Sequence, residues 1–179
     1  FMASGIAGKY IGIDPSTKTH EGNLAMAAAL GFADKVELIN MPAEDVPHDV
    51  LRGRCDFAFT SPPYFAKEHY ADEDTQSYVR YPTGEEWRDG FLLPMMRLQY
   101  AALKPGSLAI VNIADVKVRG TTYPLEQWTR ECGMDAGFQH ERIATKRLQL
   151  TRRIGSGHGE EVSTEPLLAF RKPDTADRL

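Results

Sequence analysis

The chain has 179 residues, 42% apolar and 26% charged, enough for one domain with a sizeable core and typical of a globular protein. No apolar run approaches the length of a membrane span, no secretory signal pattern is visible, and the isolated Cys55 and Cys132 argue against a disulfide framework or a metal site. A reducing, cytoplasmic setting is therefore expected. The net charge of −4 is not the signature of a nucleic-acid binder, but the bases gather in Arg142, Lys146, Arg147, Arg152 and Arg153, and the field depends on where charges sit.

In chain order, residues 1–9 read as the end of a helix closing at a glycine cap. Tyr10 to Pro15 reads as a strand ending in an acid, Asp14, which could also be a turn or helix-capping residue, since Pro15, Ser16 and Thr17 follow. Residues 20–32 are Ala-rich and predict a helix closed by Gly31. Lys35 to Asn40 predicts a strand, followed by a loop through Met41, Pro42, Ala43, Glu44 and Asp45, whose acids also suit a helix start. After the stretch 55–65 comes a long, polar, Tyr-rich segment to Pro82, read as a lid or substrate loop or else as a solvated insertion. Trp87, Phe91, Met95, Leu98 and Ala102 mark one buried helical face over Gly84 to Lys104, with a kink expected at Pro94. Leu103-Lys104-Pro105-Gly106 reads as a stop before a strand over Ser107 to Asp115. Asn112, Asp115 and Lys117 fall near that strand's end. A helix follows from Tyr123 to Cys132 with Pro124 in its first turn. Two strands close the chain, within 138–150 and 167–170, separated by a Gly-rich link over 155–161. Alternating strands and helices make the chain α/β.

The sequence turns on residues 56–65. Asp56-Phe57-Ala58-Phe59 predicts a strand buried on both faces, and Thr60-Ser61-Pro62-Pro63-Tyr64-Phe65 stops it abruptly. A proline lacks a ladder donor and pushes its predecessor into an extended conformation, so the chain leaves as a rigid turn. The carboxyl edge of an open α/β sheet is where ligands bind. There the Pro62 carbonyl and the Ser61 hydroxyl can hold the two hydrogens of an exocyclic amine. Acceptors off the ring plane favour the pyramidal, nucleophilic amine and so stabilise the transition state. Tyr64 offers a stacking surface of roughly 1–3 kcal/mol for a base. Taken alone, Pro62-Pro63 could equally be loop punctuation.

Thr60-Ser61-Pro62-Pro63-Tyr64 resembles the catalytic motif of the amino-group DNA methyltransferases, with the Ser form closest to the N4-cytosine branch and Asp or Asn commoner in N6-adenine enzymes. The resemblance implies a single methyltransferase domain over 1–179 with a Rossmann-like class I sheet and an antiparallel C-terminal hairpin. Within it, 66–83 would be a substrate loop and 173–179 a tail. The implied cofactor is S-adenosylmethionine, with Asp14 on its ribose and Pro15, Ala43, Glu44 and Thr60 around it. Glu44 and Asp45 come slightly late for the adenine loop. By the resemblance Ser61, Pro62, Pro63 and Tyr64 would carry the chemistry, and Phe65, Tyr70, Arg147, Arg152 and Arg153 would face a DNA substrate whose base leaves the duplex, the three arginines reading equally as a solvated basic hairpin. Where the family often places an aromatic against the base, this sequence has Ala144 and Thr145. In the family order the strands present are the second through the seventh, so the chain is expected to be truncated ahead of its first strand and Gly-rich turn, or to receive them from another segment or subunit. The rivals are RNA as substrate, a non-catalytic module of the same fold, and a nucleotide-dependent Rossmann oxidoreductase or epimerase, which would also use Asp14 on a ribose.

Overall fold

The computed structural model of the chain describes residues 7–67, 73–141, 148–149 and 164–174. The first half runs β1 (Tyr10–Ile13), α1 (Thr17–Ala29), β2 (Val36–Ile39), α2 (His48–Leu51), β3 (Cys55–Thr60), α3 (Ser77–Arg80), α4 (Gly84–Trp87) and α5 (Leu93–Ala102). The second half runs β4 (Leu103–Asn112), β5 (Val116–Val118), β6 (Thr121–Tyr123), α6 (Leu125–Asp135), β7 (Gln139–Glu141), β8 (Leu148–Gln149), β9 (Thr164–Glu165) and β10 (Leu167–Arg171). The expected helix end over residues 1–9 lies largely outside the described residues.

The sheet is in two parts. β1 and β2 pair in parallel around the α1 crossover. β3 and β4 form a second parallel pair, β10 lies antiparallel on β4, and β7 lies antiparallel on β10, giving the order β3-β4-β10-β7. The antiparallel closing strands are as expected. Among the described residues no hydrogen-bonded pairing joins β1 to β3, so each keeps one edge open. A small core and an ion pair are among the contacts that join the halves. Val46, Leu51, Leu98 and Ala102 form a small core on which Ile11, Ile13 and Ile39 from one half and Cys55 from the other all pack. Arg54, just before β3, also donates to Glu37 of β2 at 3.1 Å. The main core lies under the four-stranded part and includes Trp87, Met96, Leu103, Val111, Leu125, Phe138 and Phe170.

Several local expectations are corrected. β3 is not buried on both faces: Phe57 is 46% and Phe59 58% exposed, because the face that carries them has no covering layer among the described residues. α1 starts at Thr17 rather than at residue 20, because Ser16 caps it by accepting the Thr19 N–H at 3.3 Å. Gly31 ends it at a φ of 74°, as expected. The irregularity expected at Pro94 sits one turn earlier, as a π-helical turn over Arg88–Leu92 closed by the Leu93 N–H on the Arg88 carbonyl. Pro94 has no N–H to give and its ring crowds the preceding turn, which widens to accept it. Leu103 to Gly106 does not separate helix from strand. β4 begins at Leu103, and Gly106, at a φ of 76°, lies where the register shifts from Cys55 opposite Leu103 to Phe57 opposite Leu108. The β5–β6 hairpin was not anticipated. It turns through Arg119 and Gly120, both at positive φ (48° and 89°), between two β-prone runs.

Candidate active site

Ser61 to Tyr64 leave the carboxyl end of β3 as an extended turn. Ser61 is exposed, Pro62 is buried and Pro63 half-buried. Tyr64 is 5% exposed and donates its hydroxyl to the carbonyl of Asn112, the last residue of β4, at 3.5 Å. The Lys67 N–H closes the next turn on the Tyr64 carbonyl at 3.0 Å. Phe65 is buried, its ring 4.8 Å from Tyr123 and 6.1 Å from Trp87. The two aromatic residues after the prolines are thus wedged into the core and fix the turn, while Ser61 is presented outward. Thr60 pairs with Val111 and is half-buried.

Asp14 follows the last residue of β1. Its N–H donates to the Ile39 carbonyl at 3.2 Å, its Oδ1 accepts the Ser16 N–H at 2.8 Å, and Asn40 donates to its carbonyl at 3.1 Å. Asp14 is therefore a turn acid. It also borders a small cavity of about 70 Å³ with Gly12, His20, Asn23 and Leu38, and its Oδ2 makes no hydrogen bond among the described residues. Pro15 beside it is half-buried.

After β2, Ala43–Asp45 form a tight 3-10 turn. Ala43 packs on the cluster that holds Tyr64, Phe65 and Phe91, so the exits of β2 and β3 meet at one rim. The Glu44 side chain is 4% exposed. Arg80 from α3 donates to Glu44 at 2.8 Å and to both Asp45 oxygens at 2.8 and 2.9 Å. The Tyr81 ring lies against Gly90 of the π-helical turn. Burial pushes the Glu44 carboxyl above its ordinary range, opposed by a backbone hydrogen bond and by the Arg80 charge. Burial and then the Glu44 charge push the Tyr81 hydroxyl up.

Arg80 was missed from sequence. It is the only Lys or Arg between Lys67 and Arg88, which by itself names no partner. The segment read as one long loop to Pro82 contains α3, and residues 68–72 of it, Tyr70 included, lie outside the described residues. So do Arg147, Arg152, Arg153, Ala144 and Thr145. Asp115 serves as a helix cap, accepting the Glu126 N–H at 3.0 Å.

No protein-family model and no curated protein sequence matches the chain. Solved structures do match. A candidate DNA modification methylase from Thermus thermophilus is 17% identical at a TM-score of 0.50, over 92% of this chain and 53% of that one. A variant of a 16S rRNA adenine-N(1) methyltransferase from Catenulisporales acidiphilia is 17% identical at a TM-score of 0.57, over 92% of this chain and 74% of the other. The S-adenosylmethionine-dependent methyltransferase SibL is 13% identical at a TM-score of 0.51, over 92% of this chain and 43% of the other. The chain thus spans about half the length of the Thermus protein. These likenesses establish the fold, a Rossmann-like α/β sheet of the kind found in S-adenosylmethionine-dependent methyltransferases.

Proposed function

We propose that this chain carries the catalytic turn of an enzyme that transfers a methyl group from S-adenosylmethionine to an exocyclic amine of a DNA base, N4 of cytosine ahead of N6 of adenine. The observation that carries the reading is the Ser61-Pro62-Pro63-Tyr64 turn at the carboxyl end of β3, pinned to β4 by Tyr64 and presenting Ser61 outward. The Pro62 carbonyl and the Ser61 hydroxyl accept the two amine hydrogens, which turns the nitrogen lone pair out of conjugation with the base. The prolines keep both acceptors from moving, so little reorganisation is needed in the transition state. S-adenosylmethionine, when bound, supplies an electrophilic methyl group.

The residues at the rim suit that cofactor. The Asp14 Oδ2 has no partner among the described residues and borders a cavity, as a ribose-binding carboxylate requires. Glu44 is already engaged by Arg80, so its part is to hold the Ala43–Asp45 turn in shape beside the cofactor. Tyr64 supports the base from within the wall. Arg147, Arg152 and Arg153 remain candidates for phosphate contacts. RNA is the second reading, favoured by the fold shared with the ribosomal-RNA methyltransferase.

The reading also includes an added strand. The open edges of β1 and β3, with Phe57 and Phe59 exposed beside them and Leu24, Met26 and Leu30 exposed on and just after α1, form a place for a parallel apolar strand from outside the described residues.

Single-turnover transfer from labelled S-adenosylmethionine tests the core of this reading. Ser61→Ala is expected to slow transfer by about 10²- to 10³-fold, roughly 3–4 kcal/mol, with cofactor affinity unchanged. An unchanged rate would remove Ser61 from the mechanism.

A further inference from the structure

A second cleft opens at the other end of the central strands. β4 begins at Leu103 and ends at Asn112 beside the catalytic turn, so its two ends lie ~30 Å apart. At the starting end, α2, α5, the end of α6 and the residue after β10 border an open depression of about 310 Å³ lined by His48, Arg52, Arg97, Tyr100, Ala101, Ala136 and Lys172. Four of those seven residues are His, Lys or Arg, and none is acidic.

The cationic groups differ in how far they are committed. Lys172 is fixed. Its Nζ donates to the Tyr100 and Leu103 carbonyls at 2.7 and 2.8 Å and sits 4.6 Å from the Tyr100 ring centre. An ammonium has three donors, so one N–H is left. Burial first, and the Arg52 charge second, hold the Lys172 ammonium below its ordinary value. Arg52 pairs with Asp49 at 2.7 Å, outside the lining. Arg97 and His48 make no hydrogen bond or ion pair among the described residues.

We propose that this cleft binds a phosphate group, with the fixed Lys172 as its floor and Arg97, Arg52 and His48 closing on the oxygens. A planar guanidinium fork and a point-charge ammonium together match a phosphate, and several converging donors suit a dianion better than a single carboxylate. The volume admits a phosphorylated small molecule. Nothing in this inference depends on the methyl-transfer reading.

The test is calorimetric titration of the full chain with inorganic pyrophosphate at low ionic strength, with a short single-stranded oligonucleotide titrated in parallel. The expected result is saturable one-site binding of pyrophosphate, weakened about tenfold or more by Arg97→Ala and falling with added salt. Arg97 and His48 are exposed, so Arg97→Ala and His48→Ala leave the fold intact, which circular dichroism checks. If the oligonucleotide also binds and pyrophosphate displaces it, the phosphate comes from a nucleic-acid backbone. If only pyrophosphate binds, it comes from a small ligand. No saturable binding of either probe, or binding equally strong in Arg97→Ala and His48→Ala, would overturn the proposal.

Discussion

Ser61 and Tyr64 stand three residues apart and do opposite things. Ser61 is open to solvent, whereas Tyr64 is 5% exposed and reaches Asn112 across the sheet. This division gives two separable predictions. Tyr64→Phe loses the long hydrogen bond to Asn112 and should cost about 1 kcal/mol in thermal unfolding. Tyr64→Ala opens the core under the turn and should cost about 3–5 kcal/mol. If Tyr64 positions the turn through its ring, Tyr64→Phe keeps most of the transfer rate. A rate lost in both variants alike would point to the hydroxyl instead.

Among the elements, the link between α3 and the turn after β2 stands out. Arg80 holds Glu44 and Asp45 together, and Glu44 is nearly sealed from water. Arg80→Ala would leave that carboxylate buried without its cation. A loss of about 2–3 kcal/mol in urea unfolding is expected, below the value for a fully buried pair because Arg80 itself is 27% exposed. A loss under about 0.5 kcal/mol would mean that the ion pair is not formed in solution. This link also marks where sequence reasoning stopped. Strands β1 to β4 were legible because each carries a short run rich in apolar residues between polar or turn-forming ones, although the start of β4 was placed late, and the Ser-Pro-Pro-Tyr turn was legible because two prolines leave few conformations. The Arg80 contacts were not, since they join residues 35 and 36 apart and neither end has a local pattern. The β5–β6 hairpin was missed for a different reason. Its strands are three residues each, and its Arg-Gly turn is less distinctive than Asn-Gly. The burial of β3 was misjudged because an apolar run reports affinity for a covering layer, and the described residues do not supply that layer to Phe57 and Phe59.

The molecule as a whole is a sheet in two halves. Glu37 receives Lys9 at 2.8 Å and Arg54 at 3.1 Å, and these partners, Arg54 foremost, lower its carboxyl from an ordinary 4.5 to about 2. A lowered folded-state value means the carboxylate form stabilises the fold. That contribution is fully present above pH 4.5 and is lost as pH falls toward 2. Glu37→Gln should therefore flatten the acid side of the stability curve over that window, and an unchanged acid slope would contradict the assignment. The open edge makes a further prediction. Phe59 is 58% exposed, so Phe59→Asp should change the stability of the chain alone by no more than about 0.5 kcal/mol. A loss of several kcal/mol would show that the face of β3 is covered in solution.

The most direct measurement of the central claim is the identity of the product. The chain is incubated with S-adenosylmethionine and mixed-sequence DNA, the DNA is digested to nucleosides, and added methyl groups are located by mass spectrometry, with cofactor binding checked beside it. The account predicts N4-methylcytosine, absent when Ser61→Ala replaces the wild type. N6-methyladenine would keep the amine chemistry and change the base. Cofactor bound with no methylated base in DNA or RNA would contradict the account.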